Sequence, residues 1–234
     1  MHYVHAVVPN KETVYSDLIA ETMPLAPRKI VTQIREFWLP WVIFLEDVLS
    51  AARKSTSEHL YNRNNSYWND LGASFAYTAI MAHLAKQCPI YEPLLDVTAL
   101  HYEAKERAEG FEKYIGSDAA YFETKAVNLG ANAKLRSTNK ITNRGRIEIW
   151  DNHLGRGRAV VFCDSFTFNV LRRFLREQFL ELHLVHSATV DFAYIDNVKP
   201  NVVLSIGIER FLPTVFNDWS AASALDIASS LGKA

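Results

Sequence analysis

The sequence predicts an α/β protein built on a mainly parallel sheet. Short apolar runs of strand length alternate with segments of helical period along most of the 234 residues. The apolar run at 160–163 stops at Asp164-Ser165, and helical period follows at once, with Phe168, Leu171, Phe174 and Leu175 on one face. The composition, 49% hydrophobic and 22% charged, is that of an ordinary globule with a core to bury.

Taken in order, residues 3–8 (YVHAVV) read as a strand ended by Pro9-Asn10. Residues 28–38 carry a helical stripe of Ile30, Val31, Ile34 and Phe37, and residues 41–45 (WVIFL) read as a second short strand. Residues 69–86 make a strong helix: Asn69 can cap it, and Leu71, Phe75, Ala79 and Ile80 line one face. Strands are then expected at 146–150, 159–163, 182–186 and 201–206. The expected helices run from Ser165 to about Phe179 and across 191–197. The stretch 89–140, with Pro89, Pro93 and weak period, reads as an irregular excursion from one domain spanning 1–234.

Lys and Arg number 25 and Asp and Glu 26, so the formal charge of −1 creates no global field toward nucleic acid or anionic membranes. No apolar stretch is long enough for a membrane span. Cys88 and Cys163 have no metal spacing and form no disulfide framework. Phosphate loops, dinucleotide fingerprints and zinc motifs are missing, so no cofactor and no metal is expected. The N-terminus lacks a signal peptide and opens almost inside a strand, which reads as a chain with sequence missing upstream. A basic run, Lys134, Arg136, Lys140, Arg144 and Arg146, reads first as a solvated loop and second as a grip for an acidic polymer.

Ser165 is the residue that raises a functional question. A serine between a strand and a helix sits where open α/β sheets place their chemistry, and the helix N-terminus offers unpaired N–H groups to an anion. The local alternative is that Asp164 and Ser165 simply cap the helix. The Gly-x-Ser-x-Gly elbow is absent, since Cys163 and Thr167 hold the glycine positions. A serine nucleophile also needs a base. His183 and His186 share one strand face, His153 lies in a polar connection, and His59 precedes the 69–86 helix; none is marked as a base by its spacing.

Four ordered stretches resemble the SGNH-hydrolase-like domain of the alginate O-acetyltransferase family. "VVPNKETVYSDLI" (7–19) resembles its early strand with Pro-Asn-Lys and a tyrosine, and "NNSYWNDLGASFAY" (64–77) its Asp-x-His-Trp-Asn segment. "VVFCDSF" (160–166) resembles its strand ending in Gly-Asp-Ser, and "VKPNVVLSIGIERFL" (198–212) its Lys-Pro-Asp strand and Glu-Arg-Phe-Leu end. The resemblance implies a three-layer α/β/α sandwich of flavodoxin-like type, a polysaccharide as the partner, and a periplasmic location that this chain's N-terminus does not itself signal. It places Ser165 at the nucleophile position and puts Asp164, Trp68 and Asn69 at the cleft, with Arg210 expected in a structural ion pair or else at the cleft wall.

Where the family has Asp and His, this chain has Asn65 and Tyr67; Cys163 replaces the glycine before Asp-Ser, and Asn201 the aspartate of Lys-Pro-Asp. Asn65 cannot stabilise a cation, and a phenol is a poor proton acceptor at neutral pH. General-base assistance is typically worth roughly 10²–10⁴ in rate, so such a site keeps a pocket while losing most turnover. The expected function is a divergent member that binds carbohydrate or acts as an accessory protein, with impaired or no catalysis. The alternatives are an active serine esterase or O-acetyltransferase using His59, His183 or His186, and an assembly subunit with a protein partner.

Overall fold

The computed structural model describes residues 1–19, 28–107, 121–214, 217–219 and 221–230. Seven strands form one sheet: β1 (His2–Val8), β2 (Val42–Phe44), β5 (Lys134–Thr138), β6 (Ile147–Asp151), β7 (Arg158–Cys163), β8 (Glu181–His186) and β9 (Val202–Ile208). Their order is β2-β1-β9-β7-β8-β6-β5, with β7 at the centre. From β2 to β8 every pairing is parallel; β6 and β5 add on antiparallel. The apolar, β-branched runs of β1, β7 and β9 are those of strands covered on both faces.

Helices supply that cover. On one face α3 (Leu45–Ser55), α4 (Asp70–Gln87) and α5 (Arg172–Gln178) close over Val4, Ala6, Val161, Cys163, Leu204 and Ile206. On the other, α6 (Phe192–Val198) and α7 (Ala224–Ser230) pack against Val160, Phe162, Val185 and Val203. The architecture is the three-layer α/β/α sandwich expected. No helix among the described residues is long and apolar enough to cross a membrane.

Near the N-terminus, α1 (Lys11–Val14) follows β1, and the expected helix at 28–38 shortens to α2 (Ile30–Arg35). Leu45, read as the end of a strand, instead opens α3, whose buried residues Leu45, Leu49 and Ala52 lie on one face. The polar residues between them obscured that stripe. Asn69 caps α4 by accepting from the Gly72 N–H at 3.0 Å. Gly72 is required by contact: a Cβ there would stand 2.3 Å from the Leu60 carbonyl oxygen.

The stretch read as irregular contains order. β3 (Tyr102–Arg107) and β4 (Tyr121–Ala126) form an antiparallel pair outside the main sheet, and β5 is its edge strand. Residues 108–120 of that stretch lie outside the described residues. β5 is almost wholly exposed, so its sequence carries no apolar alternation to read. Two residues of the basic run are ion-paired there: Arg136 with Asp151 and Glu181 at 3.1 and 3.3 Å, and Arg146 with Glu148. Both cysteines are free; Cys163 is buried with its thiol 3.8 Å from the Val185 carbonyl oxygen.

Candidate functional site

The centre of the sheet ends where the sequence changes period. After β7, Asp164 leaves the strand and Ser165 opens a helical segment that passes through a single π turn, Thr167–Leu171, before α5. Such turns recur at functional sites because they displace side chains from the regular helical register. Asp164 is buried, and its carboxylate accepts from the N–H groups of Phe166 at 2.9 Å and Ile208 at 2.8 Å. It therefore clamps the end of β9 to the start of the helix. Burial pushes its carboxyl above the usual aspartate value, opposed by those backbone donors and by the Arg210 charge.

Tyr67 reaches the same point from the loop before α4. Its hydroxyl donates to Ser165 Oγ at 3.0 Å, although the two residues are 98 positions apart. Its ring packs against Phe166, centroids 4.7 Å apart. The Asn65 side-chain oxygen accepts the Tyr67 N–H at 2.9 Å, a local turn that sets the approach of the phenol. Trp68 and Asn69, expected at the cleft, are buried and engaged elsewhere. Trp68 Nε1 donates to the Phe166 carbonyl at 3.1 Å, and Asn69 Nδ2 to the His59 carbonyl at 2.5 Å. Arg210 borders the site from β9's end: its guanidinium lies 5.2 Å from the Phe166 ring centroid and 3.5 Å from Ser66 Oγ. It forms no ion pair among the described residues.

Lys11, the lysine of the Pro-Asn-Lys stretch, organises this loop. Its ammonium donates to the carbonyls of Asn62, Arg63 and Asn65 at 2.7, 2.9 and 3.3 Å, using all three protons. Burial holds its pKa below the ordinary lysine value, partly offset by Glu12. Glu209 ties the other side of the site, accepting from the Asn10 N–H at 2.7 Å and from the Thr13 hydroxyl. Beside the loop opens a cavity of about 460 Å³, lined by Lys11, Tyr15, His59, Tyr61, Arg63 and Asn65 among others. Its mixture of aromatic walls and converging polar groups suits an organic ligand.

None of the eight histidines hydrogen-bonds to Ser165. His59 packs on Tyr15, ring centroids 6.3 Å apart, and lines the cavity. His183 bonds the Tyr194 hydroxyl at 2.9 Å and Glu181 at 2.7 Å, and the His186 ring lies 5.5 Å from that of Phe168. The described residues contain no cluster of His, Cys, Asp and Glu able to hold a metal ion.

No family model and no curated protein matches the chain. Solved structures do. PatB1 of Bacillus cereus superposes with a TM-score of 0.66 at 15% identity, over 90% of this chain and 83% of that one. A DHHW family protein from Eubacterium siraeum gives 0.67 at 15% identity, over 93% and 80%. The O-acetyltransferase domain of Pseudomonas putida AlgJ gives 0.54 at 15% identity, over 98% and 83%. With its central parallel strands and helices on both faces, the chain is thus an α/β protein whose three-layer fold is similar to that of these three structures.

Proposed function

We propose that this chain is an SGNH-like protein of the polysaccharide O-acetylation type whose Ser165 end binds carbohydrate and does not turn over acyl groups. One observation carries the reading: the hydroxyl at the nucleophile position is hydrogen-bonded to a phenol, and no imidazole bonds to it. A nucleophilic serine requires a group that accepts its proton as the bond forms. Tyr67 instead donates to Ser165, and Asn65 brings no charge. The adjoining cavity, lined by Tyr15, Tyr61, Arg63 and Asn65 among others, offers aromatic groups and donors of the kind that hold a sugar. The similarity in fold to the AlgJ O-acetyltransferase domain supports the same assignment.

The test is a rate comparison on a small acetyl ester, reading only the share that depends on Ser165. Wild type and Ser165→Ala are expected to be indistinguishable. Replacing Asn65→Asp and Tyr67→His together returns a base and its partner, and the gain should vanish when Ser165→Ala is added. A gain of about 10-fold corresponds to about 1.4 kcal/mol of transition-state stabilisation. A Ser165-dependent rate in the wild type would overturn the reading.

A further inference from the structure

A serine–histidine pair does exist in this fold, on the other face of the sheet. His5 and Ser205 are direct neighbours across the parallel β1–β9 pairing, and His5 Nδ1 lies 3.1 Å from Ser205 Oγ. It is the one side-chain hydrogen bond between a histidine and a serine among the described residues. Ser205 is also level with Phe162, which belongs to the cluster under α6 and α7, whereas Cys163 faces the opposite side. Both partners are half-buried.

We propose that Ser205 and His5 form a nucleophile–base pair that takes up small acyl or sulfonyl electrophiles independently of Ser165. The arrangement meets the first requirement for an activated nucleophile, a hydroxyl and a base within hydrogen-bond reach. Burial lowers the His5 pKa, keeping the imidazole neutral and able to accept a proton, while the Asp218 carboxylate works in the opposite direction and stabilises the imidazolium once formed. Tyr3, two residues before His5 on the same strand face, carries a phenol that interacts with Ser205. Gly207, two residues along that face, leaves room: a Cβ there would meet no atom within 4 Å.

With an acyl ester, Ser205 Oγ bonds to the carbonyl carbon while His5 Nδ1 takes the hydroxyl proton. The imidazolium then delivers that proton to the departing alkoxide as the ester C–O bond breaks. Water, deprotonated by the same imidazole, attacks the acyl-serine; the acid leaves, and Ser205 regains its proton.

Phenylmethylsulfonyl fluoride provides a direct readout, since its S–F bond breaks, fluoride leaves, and a stable sulfonyl ester marks the serine. Peptide mass mapping of the full chain should find the adduct on Ser205, at equal rates in wild type and Ser165→Ala. Ser205→Ala should abolish it, and His5→Gln should slow it by at least about 100-fold. In the wild type alone, the labelling rate should be flat above about pH 6.5 and fall in acid as His5 becomes protonated. The absence of an adduct on Ser205, a pH-independent rate, or unchanged labelling in a folded His5→Gln variant would overturn the proposal. An adduct on Ser165 alone would overturn it too, and would also count against the proposed function, whereas an adduct on Ser205 leaves that function intact.

Discussion

Ser165 and Ser205 divide between them the features that an acyl-transfer site normally combines. Ser165 has the position: the carboxyl end of the central strand, a helix start behind it, and a cavity beside the loop that faces it. Its hydroxyl meets a phenol. Ser205 has the base, 3.1 Å away, but stands within a strand with no helix N-terminus behind it. Topology therefore decides where a hydroxyl is presented, and the neighbour decides whether it can be deprotonated. The two requirements are physically separable.

The largest effect should come from breaking the Ser165 end alone. Asp164→Ala leaves the Phe166 and Ile208 N–H groups buried without acceptors, each worth about 1–3 kcal/mol, so denaturant unfolding should show a loss of about 3 kcal/mol. If the two ends are independent, Ser205 labelling under native conditions should be unchanged. Next comes Lys11→Met, which strips three carbonyls of a charged donor and should cost about 2 kcal/mol. It should also weaken any glycan retardation in native affinity gels, because the loop bearing Asn65 and Tyr67 loses its anchor. Tyr67→Phe removes a single half-exposed hydrogen bond, so the change in stability should be about 1 kcal/mol or less.

The smallest effect separates the two regions by pH. His5 has a folded-state pKa below its unfolded value of about 6.5, so the unfolded chain binds more protons just below that pH. Stability should fall as pH drops through this window and be insensitive to His5 above it. His83, His183 and His186 are shifted the same way by burial, so His5→Gln should reduce the acid-side slope of Tm against pH without abolishing it. An unchanged slope would show that His5 is solvated and that its pairing with Ser205 is not maintained in solution.

Much of the Ser165 end was legible in the sequence because its signals are local. The break from Val160–Cys163 to helical period marks a strand end, and Asn69 before α4 is a cap with a partner three residues on. The resemblance of "NNSYWN" to an Asp-x-His-Trp-Asn segment placed Tyr67 opposite Ser165, where the structure has it. The roles expected of Trp68 and Asn69 were less visible: both lie in the right segment, but their polar atoms turn inward to backbone carbonyls. The role of Lys11 was not legible in Pro-Asn-Lys, because only the folded loop brings three carbonyls to its ammonium.

Local period and capping chemistry in the sequence determined the α/β class, the strands at β1, β7, β8 and β9, the α4 cap, and the place of Ser165 at a strand end. Those features depend on residues a few positions apart, whose burial or capping leaves a local imprint. Only the tertiary structure decided the strand order, the edge strand β5 and the His5–Ser205 contact across 200 positions. Edge strands are solvated and carry no apolar period, and a contact between distant strands depends on which edges pair in the sheet. A histidine alternating with valines in "YVHAVV" and a serine in "NVVLSI" are each unremarkable. Parallel pairing of β1 with β9, in one register and not its neighbour, sets the two side chains on the same face within hydrogen-bond reach.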